Sequence, residues 1–167
     1  MSDSLGWTIL ESPIGPLTMV CGPRGITNIH FDGTAPPLAE GARRPIPEAT
    51  EQLDAYFAGA RRDFELELDL HGGPFQQAVW RHLLEIPYGA TTTYGEIAAG
   101  VAESAYPPGA EPHERARLVG AAVGRNPVPV VVGCHRVIGA DGSLTGYFGG
   151  LERKRVLLDL EQGIATL

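Results

Sequence analysis

The chain has two cysteines, Cys21 and Cys134, and only the second has neighbours that could turn it into a nucleophile. Cys134 is followed by His135 and Arg136, at the end of the run Asn126-Pro127-Val128-Pro129-Val130-Val131-Val132-Gly133. A thiol becomes a strong nucleophile when it loses its proton, and an imidazole beside it can take or relay that proton. Taken alone, the pair is more simply a buried structural cysteine next to a surface histidine. A third candidate lies near the carboxyl terminus, where Leu151, Lys154, Leu157, Leu158 and Glu161 recur at helical spacing on one stripe. That stripe turns Glu161 towards the core, where a carboxylate needs a partner, unless the helix end frays and leaves it in water. The other conspicuous carboxylates, Glu65, Glu67 and Asp69, alternate with Phe64, Leu66, Leu68 and Leu70. Alternation marks the wet face of a strand better than it marks a metal site.

These groups have to be placed by the rest of the chain. Residues 7 to 31 predict three short strands, Trp7–Glu11, Leu17–Cys21 and Ile26–Phe31, separated by the turn sequences Ser12–Pro16 and Gly22–Gly25. A Gly/Pro/Ala-rich loop follows over 32 to 47, then a helix over Glu48–Phe57 with Leu53, Tyr56 and Phe57 at helical spacing, closed by Gly59, then the alternating strand Phe64–Leu70. His71-Gly72-Gly73 is a linker, and beyond it the apolar period changes from two to 3.6. Pro74 opens a helix with Phe75, Val79, Trp80, Leu83 and Leu84 on its buried side, ended by Pro87 and Gly89. Thr93-Tyr94-Gly95-Glu96 has the form of a capping box. An irregular stretch over Val101–Glu111 leads to a helix over Pro112–Gly124 that carries Arg115, Ala116, Arg117, Gly120 and Ala121 beside the apolar Leu118, Val119, Ala122 and Val123. Two helices joined by a turn suggest a helix-turn-helix, and small residues let a helix approach a DNA groove as readily as they let helices pack. Val128 and Val130–Val132 suit a buried strand delivering Cys134, Gly139–Gly142 is a turn sequence, and Gly146–Gly150 a flexible loop.

The totals bound the reading. A chain of 167 residues with 43% hydrophobic content can bury one good core or two small ones. No apolar run has membrane-spanning length, and Met1–Gly6 lacks a signal pattern, so a cytoplasmic protein is expected. The widely spaced cysteines indicate neither a disulfide framework nor a zinc site. The net charge of −7 argues against a polyanion partner, but it is unevenly spread: residues 1 to 70 carry 5 basic and 11 acidic groups, residues 71 to 167 carry 8 and 9. Any nucleic acid should meet the second half.

Asn-Pro-Val-Pro followed by Cys-His-Arg-Val closely resembles the active-site signature of the O6-alkylguanine-DNA alkyltransferase family (methylated-DNA--protein-cysteine methyltransferases). Phe75-Gln76-Gln77-x-Val79-Trp80, Ile86-Pro87-x-Gly89-x-Thr91 and Tyr94-Gly95-x-Ile97-Ala98 match the family pattern in the same order. The resemblance is strong over 74 to 162. It implies an α+β fold, with a small N-terminal α/β (RNase H-like) domain at 1–70, a linker at 71–73 and a mainly helical winged-helix/helix-turn-helix-like domain at 74–167. It also implies direct-reversal repair: the alkyl group of O6-alkylguanine, or of O4-alkylthymine, passes irreversibly to Cys134 after the base leaves the duplex.

The same resemblance assigns roles. Cys134 is the nucleophile, His135 takes its proton through a water, and Glu161 orients the histidine. Tyr94 assists flipping and donates to guanine N3, Arg117 fills the gap in the duplex, and Arg115, Ala116 and Gly120 share the DNA-facing helix. Asn126 braces the turn, and Tyr147, Phe148, Val137 and Val123 surround the base. No cofactor or metal is required, and the partner is double-stranded DNA bound by a monomer. Two departures stand out: Gly133 replaces the family's proline, and the Val101–Glu111 segment is long. Two other classes compete, a lesion sensor that transfers nothing and a cysteine hydrolase. The sensor relatives lack the cysteine this chain retains, and a hydrolase would turn over.

Overall fold

The computed structural model describes residues 5–32 and 34–164; Met1–Ser4, most of the Met1–Gly6 stretch that lacks a signal pattern, and the extreme ends of the two expected domains lie outside them. The amino-terminal half is built on a three-stranded antiparallel meander, β1 (Gly6–Leu10), β2 (Leu17–Gly22) and β3 (Gly25–Phe31), in the order β1-β2-β3. Alternation buries Leu17, Met19, Ile29 and Phe31 on the face that receives helix α1 (Pro47–Phe57), whose Ala49, Leu53 and Tyr56 complete that layer. Gly59, with φ +77°, ends the helix region as expected.

The alternating segment 64–70 forms no ladder. It is extended and makes a single parallel bridge, Ile26 with Leu68, through Ile26 N–H to Glu67 O (2.9 Å) and Asp69 N–H to Ile26 O (2.9 Å). Its side-chain periodicity is nevertheless as expected, since Phe64, Leu66, Leu68 and Leu70 pack on the core. The bridge also explains Gly25, whose φ is +132° and whose missing Cβ would stand 2.4 Å from Glu67 O.

Helix α2 (Pro74–Leu84) begins at proline, with the Gln76 side chain accepting from Gly73 N–H (3.1 Å). Val79, Trp80 and Leu83 are buried, whereas Leu84, expected on the same stripe, is exposed. It follows Leu83 by one residue, or about 100°, which turns it off the buried face. Trp80 Nε1 donates to Ala122 O (2.9 Å) and ties α2 to helix α4 (Arg115–Val123). Helix α3 (Tyr94–Gly100) is capped by Thr93, whose hydroxyl accepts from Glu96 N–H (3.1 Å). The Glu96 carboxylate takes the Thr92 hydroxyl (3.1 Å), so only half of the anticipated capping box forms.

Between α3 and α4 the chain makes two 3₁₀ turns, Glu103–Ala105 and Pro112–Glu114, so the helix expected over 112–124 starts as a tighter turn. Helix α5 (Leu151–Gln162) ends the described chain and buries Lys154, Leu157, Leu158 and Glu161. Leu151, assigned to that stripe, is exposed in the first turn.

A two-stranded parallel pair positions the site. Strand β4 (Thr92–Thr93) lies directly before Tyr94 and pairs with β5 (Val137–Ile138), which lies directly after the Cys-His-Arg turn. One short ladder thus ties the start of α3 to the cysteine segment.

Candidate active site

Val128–Val132 was expected to be a strand and is instead a tight turn. Val132 N–H reaches back to Val128 O (2.9 Å), and Val130 has φ +74°. A β-branched residue in the left-handed region is strained, and the surroundings must hold it there. Asn126 does much of that holding, because its side chain accepts from Val128 N–H (3.0 Å) and donates to Val132 O (2.9 Å). Those two bonds replace the strand partner that a β reading requires, and all four valines remain buried.

Gly133 continues the turn with φ −72° and ψ 53°, an inverse γ-turn closed by Cys134 N–H to Val132 O (2.7 Å). That φ is the one proline would impose. Its N–H makes no hydrogen bond among the described residues. A Cβ would lie 3.0 Å from Arg136 Cδ, so the arginine must give by a few tenths of an ångström. Gly133→Pro is therefore expected to stabilise the protein by about 0.4–1 kcal/mol by restricting the unfolded chain. A lower melting temperature would mean that Arg136 does not yield.

Cys134, His135 and Arg136 form one buried 3₁₀ turn. Burial pushes the Cys134 thiol up to about 11, opposed by Asn126, Tyr147 and the Lys154 ammonium. The resting group is therefore a thiol. His135 Nε2 is 2.7 Å from Glu161 Oε2. Glu161 also takes Arg136 Nε (2.8 Å) and Nη2 (2.9 Å), the Tyr56 hydroxyl (2.6 Å) and Gly89 N–H (3.3 Å). Its carboxyl is held far below the carboxylate range by His135, Arg136 and Tyr56 against the opposing effect of burial, so it is ionised and can only accept. The tautomer follows: Nε2 of His135 carries the hydrogen and Nδ1 presents a lone pair. Burial holds the imidazole below its ordinary range despite Glu161, and Nδ1 has no partner among the described residues. The site thus contains a neutral base with an open basic nitrogen, one residue from a protonated thiol. Glu161 is buried, which removes the frayed-end reading.

The thiol opens on a cavity of about 390 Å³ lined by Tyr94, Gly120, Val123, Gly124, Cys134, Gly146, Tyr147 and Phe148. Tyr94 and Gly120 are neighbours in its wall, with room at Gly120 for a Cβ 3.7 Å from the Tyr94 ring. Phe148 is half exposed at the rim, its ring 5.3 Å from Phe31 and 5.5 Å from Tyr147. Val137 is fully buried behind Cys134, and its carbonyl, with that of Thr145 (2.8 Å), accepts from the buried Lys154 ammonium.

The helical arginines differ. Arg117 is exposed on α4 and, among the described residues, meets only Glu114 (3.2 Å). Arg115 is engaged: it pairs with Glu103 (2.5 Å) and stacks on the Tyr106 ring (4.3 Å), while the Tyr106 hydroxyl donates to Ala98 O (2.6 Å). The long 101–111 segment is thus folded back on α3 and α4 and occupies the guanidinium assigned above to DNA. Ala116 lies on the first turn of α4.

Sequence reasoning missed three participants. Arg136 was read only as part of a signature, Lys154 only as a member of a stripe, and Tyr56 only as a core residue of α1. Among the described residues, no cluster of three or more His, Cys, Asp or Glu could hold a metal ion.

Comparison with known proteins gives a consistent picture. Residues 74–163 match the family described as 6-O-methylguanine DNA methyltransferase, DNA binding domain, and residues 5–70 match its ribonuclease-like domain. The methylated-DNA--protein-cysteine methyltransferase of Mycobacterium tuberculosis is 48% identical over 160 residues, covering 93% of this chain and 92% of its own. That of Methanosarcina barkeri is 41% identical over 168 residues, covering 93% and 96%. The crystal structure of the M. tuberculosis O6-methylguanine methyltransferase superposes with a TM-score of 0.81 at 45% identity, covering 97% of this chain and 95% of that one. A crystal structure of the M. tuberculosis protein in complex with DNA gives 0.77 at 47% identity, covering 95% and 93%. With both halves matched and relatives at this identity over nearly the whole length, the chain belongs to the 6-O-methylguanine DNA methyltransferase family, the methylated-DNA--protein-cysteine methyltransferases.

Proposed function

We propose that the protein binds double-stranded DNA as a monomer in the cytoplasm and removes the alkyl group from O6-alkylguanine by transferring it to its own Cys134. The observation that carries this is the buried His135–Glu161 pair beside a cavity-facing thiol. The Cys134 proton passes through one water to His135 Nδ1, whose positive charge Glu161 balances. The thiolate attacks the alkyl carbon, the S–C bond forms as the C–O6 bond breaks, and the electron pair stays on guanine O6. Tyr94 donates at guanine N3 so that the departing base does not carry a full charge. Nothing restores the thiol, so one molecule repairs one lesion. The pocket can take an extrahelical base, which the reaction needs because O6 is paired inside the duplex. Residues 1–70 act as a supporting domain and 74–167 as the DNA-binding and transferring domain.

Intact-mass measurement after mixing with O6-methylguanine DNA is expected to show one added methyl group, mapped to Cys134. Cys134→Ser should lose transfer and keep DNA binding. Turnover, or a methyl group on Cys21, would overturn the assignment and favour a hydrolase or an incidental thiol. A second expectation concerns Arg117, whose surface pair with Glu114 is easily broken. Arg117→Ala should slow repair of duplex DNA far more than reaction with free O6-benzylguanine, since only the duplex needs its gap filled; equal losses would assign the residue to the fold.

A further inference from the structure

Tyr56 lies 105 residues from Glu161 in sequence, and its hydroxyl is 2.6 Å from Glu161 Oε2. Its ring is fully buried and packs against Phe57, Phe64 and Tyr88, at centroid distances of 5.3, 5.2 and 6.1 Å. A buried phenol needs an acceptor, and any backbone carbonyl would satisfy it. Here it uses the oxygen that also takes the His135 Nε2 hydrogen (2.7 Å) and an Arg136 Nη2 hydrogen (2.9 Å). Oε1 takes Arg136 Nε and Gly89 N–H. Five donors thus converge on one carboxylate, which offers about four lone-pair sites. The donors compete, so each one weakens the pull of Glu161 on the others.

We propose that Tyr56 is a positioning residue for alkyl transfer, supplied by the amino-terminal half: its hydroxyl fixes the Glu161 oxygen that orients His135 and moderates the basicity of that histidine. The proposal rests on the reading of Cys134 as the alkyl acceptor. It gives the α1 helix a part in the chemistry, because the orientation of the base depends on a hydrogen bond made from that helix. The charged and titratable groups around the cluster are Arg136 from the cysteine turn, Lys154 from α5, Tyr88 ahead of β4, and Cys134 with Tyr147 on the cavity side. Of these, only Arg136 shares the carboxylate with Tyr56 and His135.

Removing the hydroxyl has two separable consequences. Glu161 Oε2 becomes a stronger acceptor for His135, so the imidazole becomes more basic. The carboxylate also loses a fixed contact, so the imidazole is held less well. The test is the pH–rate profile of Cys134 modification, by iodoacetamide and by O6-benzylguanine, in wild type, Tyr56→Phe and Tyr88→Phe. For Tyr56→Phe the acid limb is expected to move to higher pH by about half a unit or more, with a several-fold lower rate above it. Tyr88→Phe loses a hydroxyl that touches Leu160 O at 3.4 Å and not Glu161, so its profile should follow wild type. An unmoved or lowered limb in Tyr56→Phe, or an equal shift in Tyr88→Phe, would reduce Tyr56 to packing. Failure of wild type to react with O6-benzylguanine would count against the functional reading, while the iodoacetamide profiles would still decide the role of Tyr56. Should Tyr56→Phe not fold, proton NMR of wild type decides: a slowly exchanging Tyr56 hydroxyl proton with a nuclear Overhauser contact to the His135 Nε2 hydrogen supports the proposal, and its absence overturns it.

Discussion

Arg136→Leu is expected to destabilise the protein by about 3–5 kcal/mol, the usual cost of removing one partner from a buried ion pair. Arg136 is nearly buried, grips both oxygens of Glu161 through Nε (2.8 Å) and Nη2 (2.9 Å), and donates Nη1 to Ile86 O (2.7 Å). Leucine would replace the volume and leave the Glu161 charge in the interior. Arg136→Lys should recover only part of the loss, because an ammonium cannot form the two-pronged contact. The effect has a pH signature. Glu161 is held below its ordinary 4.5, so the stability it contributes is fully present above that value and is lost as pH falls beneath it. The difference between wild type and Arg136→Leu should therefore shrink in acid. His135 acts in the same sense at higher pH: its folded value lies below the ordinary 6.5, so the unfolded chain takes the proton first and stability declines as pH drops through 6.5. Urea denaturation at pH 7 and pH 4 measures both. A loss under about 1 kcal/mol at pH 7 would mean that water reaches Glu161 and screens it.

What the sequence made legible follows from how local each signal is. The meander was readable because Ser12–Pro16 and Gly22–Gly25 are turn sequences between alternating strands, and all three strands form. Glu161 was placed by the stripe it shares with Lys154 and Leu157, and that arithmetic depends on α5 alone. Val128–Val132 was misread because a short run of buried β-branched residues looks the same in a strand and in a turn. The deciding bonds come from the Asn126 side chain, and the positive φ of Val130 is imposed by its surroundings. The pairing of Arg115 was unreadable for a similar reason. Its partners, Glu103 and Tyr106, sit in a segment whose path has no periodicity to read.

The active-site triad divides along the same line. Cys134 and His135 are adjacent and carry a motif, while the groups around them come from three separate places. Glu161 and Lys154 are on α5, Tyr56 is on α1, and Gly89 precedes β4. Nothing in the spacing of Leu53 and Tyr56 separates a packing residue from one that donates to the Glu161 carboxylate. Only the tertiary fold makes that distinction.

Glu161→Gln is expected to lower the rate of Cys134 alkylation at pH 7 by on the order of 100-fold, within the range a positioned proton acceptor supplies. The thiol itself lies near 11, so at neutral pH almost no thiolate forms by loss of a proton to water. In the proposed relay the reactive species is the pair in which His135 holds the proton, and its population depends on the Glu161 charge 2.7 Å away. Glutamine keeps the shape, loses the charge and cannot satisfy the two Arg136 donors that the carboxylate accepts. The neutral-pH plateau should then fall, and the rate should instead climb with pH towards the thiol's own ionisation. Adding base should thus rescue Glu161→Gln far more than it accelerates wild type. Because Arg136 loses its counter-charge, the comparison must be made on folded protein at a temperature below the variant's melting transition. Single-turnover reaction with O6-benzylguanine from pH 6 to pH 10 supplies the profile. A variant whose profile is uniformly lowered but unchanged in shape would assign Glu161 to holding the fold, and a profile identical to wild type would remove it from the relay.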